Sequence, residues 1–351
     1  MRGDMTVELG PLHPRHGPHQ PTRGGPPRVP GSVRRTSTID MLRPEGNTGP
    51  LVLRGRARDL GTKSAGAVVL GEASAEAMVD YPSGRTLRTL TTTPSRPVLG
   101  ELVGRSVASG FRRAVLKLDP RLPAENGLLN LLLDDFPVAT LVSGHAVVAS
   151  TPFEQRRQRV SGLHGNLVRD QCAGFISGGT IMAEVDRCGV TPVVTGPVAP
   201  PLVDEHDPEG WHTLEPLPPH AMRRARRMDI RPGTPTVVDV LFRDSHVRAD
   251  GLEVVVHEYT VAAEIDTGSG TVLSCTATPQ VLPWVECPAA AASATRLAGL
   301  PLAGLRQHIR ATFTGTSTCT HLNDTLRSLE DVAALLPLVN PSGVEEPNAS
   351  T

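Results

Sequence analysis

Hydrophobic and polar positions in the second half of the chain change period more than once. Residues 236–242 form a compact β-branched run, and residues 253–265 alternate in part, as a strand with one face on a core does. Asp266-Thr267-Gly268-Ser269-Gly270 is a turn signal, so residues 271–277 are predicted to return as the hairpin partner. Pro279 and Pro283 end the strand-like pattern. Residues 289–313 are helical in composition, with a break at Gly299-Leu300-Pro301. Thr316-Ser317-Thr318 offers N-caps for a last helix over 319–336, whose Leu322, Leu326 and Leu329 share one face. The first half has the same order, with strands over 50–93 and helices over 98–118 and 125–135.

The likeness between the halves extends to residue groups. Arg34-Arg35, Ile39-Asp40 and Arg43-Pro44 match the run Arg226-Arg227-Met228-Asp229-Ile230-Arg231-Pro232. Arg58-Asp59 matches Arg243-Asp244, and Gly71-Glu72 matches His257-Glu258. Leu102-Val103-Gly104 and Phe111-Arg112 match Leu297-Ala298-Gly299 and Leu305-Arg306. The offset stays near a constant value, as a tandem duplication with small loop changes requires. The expected architecture is α+β: two diverged copies, each an antiparallel sheet covered by helices, packed as a pseudo-dimer. The copies span 33–137 and 226–339. Between them, 138–225 is a connecting region, helical over 153–188 with a break at Gly178-Gly179, then Pro-rich around Gly210-Trp211-His212. Residues 1–32, rich in Pro, Gly, His and Arg, and residues 340–351 are expected to be disordered tails.

Composition narrows the function classes. Aromatics are only 3%, so the core must be built from Val, Leu and Ala. A net charge of -1 supplies no global basic field, so neither nucleic acid nor a membrane is expected as a partner. Five cysteines without a CxxC pair, no secretory leader and no long apolar run suggest a reduced, cytoplasmic, soluble protein. Heavy use of Ala, Arg, Val and Pro with few Lys suggests a high-GC bacterium. The run Arg223-Arg224-Ala225-Arg226-Arg227 reads as a solvated face or the entry to a segment. There is no Gly-rich dinucleotide fingerprint, no G-x-S-x-G elbow and no HExxH.

Candidate chemistry concentrates in Thr318-Cys319-Thr320-His321-Leu322-Asn323-Asp324. Cys319 is expected in the first helical turn, where unsatisfied N–H groups favour a thiolate. His321 and Asp324 are three residues apart, so the carboxylate could hold the imidazole in one tautomer. The competing reading makes Cys319 a small buried hydrophobe and His321 a packing residue. A second candidate is His257-Glu258-Tyr259. On a strand His257 and Tyr259 share one face and Glu258 takes the other, so only one of His257 and Glu258 can reach a given site. In the first copy Asn126 and Leu128 stand for Cys319 and His321, and Gly71 for His257. Joint loss of these positions suggests one constellation, retained in the second copy only. Arg243-Asp244 persists in both copies and reads as a structural ion pair or turn brace. Cys287, Cys319, His321 and His257 would suit zinc by type, although their spacing matches no standard zinc motif. Metal and cofactor are left open.

These residues carry a resemblance. Arg226-Arg227-Met228-Asp229, Arg243-Asp244, His257-Glu258-Tyr259, the segment from Leu282 to Pro288, and above all Cys319-Thr320-His321-Leu322 resemble the bacterial domain-of-unknown-function family DUF 2889. The likeness covers about residues 145–335 well and the first copy weakly, and it implies no activity. The leading expectation is an enzyme acting on a small organic molecule, with Cys319 or His321 as nucleophile or acid/base and His257 or Glu258 opposite. The alternative is a non-catalytic binding or assembly module in which the Cys-Thr-His-Leu element is structural. Oligomeric state is not readable.

Overall fold

The computed structural model describes residues 13–125, 127–159, 168–194 and 196–339. The fold is α+β, as expected, but the two halves share one sheet. The strands are β1 (Val33–Leu42), β2 (Leu51–Lys63), β3 (Gly66–Asp80), β4 (Thr86–Thr93), β5 (Met222–Arg231), β6 (Thr236–Val247), β7 (Glu253–Ile265) and β8 (Val272–Val281). They form an 8-stranded sheet in the order β4-β3-β2-β1-β5-β6-β7-β8, with each neighbouring pair antiparallel. Two separate sheets would each leave a strand with unpaired backbone groups. Pairing β1 with β5 satisfies both edges at once.

The β1–β5 register has a local two-fold character. Arg34 pairs with Asp229, Asp40 with Arg223, and Ser37 with Arg226. Arg34 therefore corresponds to Arg223 and Arg35 to Arg224, three positions before the Arg226-Arg227 match read off the sequence. The β-bulges correspond as well. One follows Asp59 in β2 and one follows Asp244 in β6, while a second pair lies at Met78 in β3 and Glu264 in β7.

Helices cover one face: α1 (Phe111–Leu118), α2 (Gly127–Val142), α3 (Thr180–Cys188), α4 (Leu305–Thr312) and α5 (Thr320–Ser328). The segment Gly127–Ser150 is long and apolar enough to cross a membrane by composition, contrary to the expected lack of such a run. In this fold 67% of its apolar window is buried, and α2 packs on β1, β2 and β3 as a core helix. Because α2 continues to Val142, the domain boundary drawn at residue 137 cuts through it.

The helical face holds two apolar cores, one per half, around Phe136, Leu53 and Leu132 and around Phe242, Trp284 and Leu322. Between them lies a buried belt of charge. Arg224 binds Asp244 on β6 and Asp324 on α5, Arg226 binds Asp135 on α2, and Arg35 binds Asp59 and Asp331. The arginine run of β5 is thus the middle of the sheet and not a solvated face. Each guanidinium finds a carboxylate distant in sequence, which is what permits its burial.

The opposite face is covered by chain from the N-terminal region and the connecting region. Residues 13–32 run as a strap across β8, β7, β6, β5, β1 and β2. Gln20 N–H donates to the Gln280 carbonyl, Arg243 donates to the Thr22 carbonyl, Arg34 to the Pro26 carbonyl, and Gly31 N–H to the Thr62 carbonyl. That stretch belongs to the folded body, because its backbone groups are paired with the sheet and its arginines, and this corrects the disordered tail expected over 1–32. Residues 1–12 and 340–351 lie outside the described residues.

The Pro-rich loop crosses the same face. Trp211 packs on Ala225 and Leu241, and the His212 ring sits between the Thr36 and Thr38 hydroxyls, each 2.9 Å away. Burial, with Arg58, Arg223 and Arg56 nearby, pushes His212 down to about 3. The folded state therefore holds this imidazole neutral below the pH at which the unfolded chain protonates it, near 6.5. Stability from this group is complete above pH 6.5 and is lost as pH falls toward 3, at about 1.4 kcal/mol per pH unit. Urea unfolding between pH 7 and 5 should show His212→Gln losing about 2 kcal/mol less than the parent chain. Parallel pH dependences for the two proteins would refute this role.

Candidate functional site

The site starts from a pair set by strand register. Asp244 on β6 and His257 on β7 are direct neighbours at the shared bulge. Both side chains point to the helical face, where α5 begins. His321, in the first turn of α5, stacks on His257 with ring centroids 3.7 Å apart and planes 19° from parallel. His321 Nε2 lies 3.6 Å from Asp244 Oδ2, too long for a hydrogen bond. One ligand-capable atom each from Asp244, His257 and His321 falls within a mutual distance of 4.8 Å.

Cys319 is the N-cap of α5 in extended conformation, so its side chain escapes the helical spacing that would separate it from His321. Its Sγ lies 3.6 Å from His321 Nδ1, on the side of the ring remote from Asp244. Tyr259, two residues along β7 from His257, is buried on the same face near Cys319, its hydroxyl without a hydrogen-bond partner among the described residues.

Burial dominates the electrostatics. It pushes the Cys319 thiol up to about 11, with Cys172 adding to the effect and the Leu322 and His321 N–H groups opposing it. The expected thiolate is therefore corrected: the helix N-terminus does not offset desolvation, and Cys319 is a thiol at neutral pH. Burial, then the Arg224 charge, lowers His321 to about 3. Burial, then His321, lowers His257 well below its ordinary value. Both imidazoles are neutral and offer lone pairs. His257 Nδ1 and His321 Nε2 are buried with no hydrogen-bond partner among the described residues, a costly arrangement for two polar atoms side by side.

Of the five residues singled out from the sequence, Cys319, His321 and His257 come together. Asp324 does not orient His321. It is fully buried and bound to Arg224 at 2.6 Å and to Arg327, both guanidiniums helping to hold its carboxyl below the usual range. Glu258 points through the sheet to the opposite face, where Arg243 binds it and the Thr22 N–H donates to it. Strand alternation sends the two neighbours of the His-Glu pair apart.

Sequence reasoning missed Asp244. Arg243 and Asp244 do not brace one another, because they too lie on opposite faces. Asp244 accepts two hydrogen bonds from Arg224, at 2.9 and 3.0 Å, which fixes its carboxylate toward the imidazoles. The register of β6 against β7 would have found it. Also missed was His145, in the helix Gly144–Ser150 of the connecting region. Its ring meets His246 edge-on at 5.0 Å, and burial, with His246 and His257 nearby, lowers it to about 3.

The first half retains the frame without the cluster. Arg35 binds Asp59 as Arg224 binds Asp244, and Asp59 faces Gly71 as Asp244 faces His257. Leu128 Cδ1 lies 3.5 Å from where a Gly71 side chain would begin, so a Leu-over-Gly contact fills the place of the two stacked imidazoles. Asn126, the counterpart proposed for Cys319, lies outside the described residues.

Residues 222–335 match the model of a family described as protein of unknown function, DUF2889. Residues 222–335 are thus similar to a DUF2889 domain, over less than half of the chain. The match begins at the first residue of β5 and takes in Asp244, His257, Cys319 and His321. No curated protein and no solved structure matches the chain. The matched residues thus contain the whole cluster, whereas the helix bearing His145 and the covering strap lie outside them.

Proposed function

We propose that the DUF2889 domain binds one divalent first-row metal ion, zinc or iron(II), and uses it in an enzyme acting on a small organic molecule. The observation that carries this reading is the pair of orphaned imidazole nitrogens facing the Asp244 carboxylate. Two atoms that ligate one ion at about 2.1 Å stand a little over 3 Å apart, close to the 3.6 Å between His321 Nε2 and Asp244 Oδ2. Neutral imidazoles and a carboxylate suit zinc and iron(II). Arg224 behind Asp244, and Cys319 at the far nitrogen of His321, are outer partners of the kind that fix ligand orientation. With Nδ1–H donated to the thiol, Nε2 keeps its lone pair for the ion. Cys319 is then a positioning residue and not a nucleophile. Three protein ligands leave room for water or substrate, which favours chemistry over a closed structural site.

A tandem origin of the two halves is part of this proposal. The matching bulges, the Arg35–Asp59 and Arg224–Asp244 pairs, and the left-handed Gly110 and Gly304 before α1 and α4 support it. On that reading the first copy has become a scaffold that holds the belt of charge in place.

Metal analysis of the purified full chain tests the centre. About one equivalent of zinc or iron is expected, removable by a strong chelator and replaceable by cobalt(II) with visible d–d absorption of a low-symmetry site. A chain that carries no metal as isolated and shows no saturable cobalt(II) spectrum would remove the proposal.

A further inference from the structure

We propose that a cavity between α1, α2 and α4 binds a small organic carboxylate. It shares no lining residue with the Asp244–His257–His321 cluster, so it stands independently of the metal reading. The cavity has a volume of about 160 Å³ and sits where the helices of the two halves meet. Arg112, Arg306 and Arg310 supply its positive wall, and Val115, Leu116 and Leu133 its apolar wall.

The decisive group is Arg306. Its side chain is 9% exposed. One end is occupied, with Nη1 2.8 Å from Asp331 Oδ1. Nε and Nη2, which form the other edge of the guanidinium, are buried with no hydrogen-bond partner among the described residues. These two N–H groups are parallel and spaced to fit the two oxygens of a carboxylate. Leaving such an edge dry and unpaired is costly, so it calls for an acceptor.

The acids in the lining do not serve that edge. Asp134 is held by Arg327 at 2.9 Å and by Arg112 at 3.1 Å, and its carboxyl is far below the usual range despite complete burial. Glu330 accepts from the Arg306 backbone N–H at 2.7 Å. Three guanidiniums against two carboxylates leave the lining one positive charge in excess. Arg112 and Arg306 hold corresponding places, each the second residue of a helix after a left-handed glycine. Their convergence puts the cavity at the junction of the halves. The apolar wall decides the class of anion: a short hydrocarbon tail buries surface on Val115, Leu116 and Leu133, whereas inorganic phosphate would leave them wet.

Calorimetric titration of the full chain with acetate, butyrate and hexanoate tests this, with butyramide and inorganic phosphate as controls. Saturable binding is expected for the acids, strongest for butyrate or hexanoate, with no binding of butyramide and none or weaker binding of phosphate. Arg306→Lys keeps the charge beside Asp331 and loses the fork, so affinity should fall about tenfold. Leu116→Trp fills the cavity from a half-exposed position and should abolish binding while the folded spectrum is kept. No saturable binding of any acid at millimolar concentration, phosphate binding as tight as butyrate, or unchanged affinity in folded Leu116→Trp would each overturn the proposal.

Discussion

His257→Ala and His321→Ala should each empty the metal centre, while Cys319→Ser should keep it with weakened affinity. Either imidazole supplies one of three ligands, and two remaining ligands do not hold a divalent ion against a chelator at neutral pH. Cys319 acts on the far nitrogen of His321, and loss of such an outer partner costs about 10- to 100-fold in affinity. The expected order of cobalt(II) affinity is parent, then Cys319→Ser, then the two histidine variants at or below detection. A Cys319→Ser chain that loses metal as completely as His321→Ala would make the thiol a ligand and close the site. The same series should order thermal stability in the presence of metal, since an ion bound only by the folded state stabilises it in proportion to the logarithm of its concentration over Kd.

The largest effect on folding is expected at Arg224. This guanidinium is 1% exposed and links Asp244 on β6 to Asp324 on α5, both carboxylates fully buried. Arg224→Leu leaves two buried charges short of a partner, and breaking a buried pair from one side costs about 3–5 kcal/mol. Asp324 keeps Arg327, so Asp244 bears most of the loss. Urea unfolding should place Arg224→Leu several kcal/mol below the parent chain or leave it unfolded. Arg54→Leu, which breaks the exposed pair with Glu76, should change stability by less than about 1 kcal/mol. Equal effects from the two changes would show that the belt does not contribute as argued.

How much the sequence revealed depended on the range of the interaction. Local patterns were readable: the turn at 266–270 does join β7 to β8, and Leu322, Leu326 and Leu329 do share the buried face near α5. Comparing the halves drew attention to His257 and His321 together, and the stacked rings answer that comparison in geometry. What stayed hidden was set by pairing across the sheet. Asp244 belongs to the site because β6 meets β7 in one register. The arginine run of β5 is buried because Asp40, Asp135, Asp244 and Asp324 arrive from four other segments. A strongly basic stretch has no hydrophobic period to mark it as a central strand, and its partners' spacing carries no signal. The strap over 13–32 was misread for the same reason, since its order comes from backbone contacts and not from side-chain burial.

That strap also changes the outer boundary of the sheet. An open sheet of eight strands has two outer strands whose unpaired backbone groups can recruit another chain. At β8 the strap occupies this position: His19 forms a bridge with Val281, and Leu282 N–H donates to the Pro18 carbonyl. The prolines on either side of that contact keep the added segment from extending as a full strand. At the other margin residues 104–107 cover the start of β4, where Leu87 N–H donates to the Arg105 carbonyl and Gly104 N–H to the Leu87 carbonyl, and the rest of the strand exposes threonines and Arg88. Both margins therefore resist edge-to-edge polymerisation with added chain, β8 with the N-terminal strap and β4 with the segment that follows it in sequence. A version of the protein that begins after Ser32 would lose that guard at the β8 margin, in the half that holds Asp244, His257 and His321.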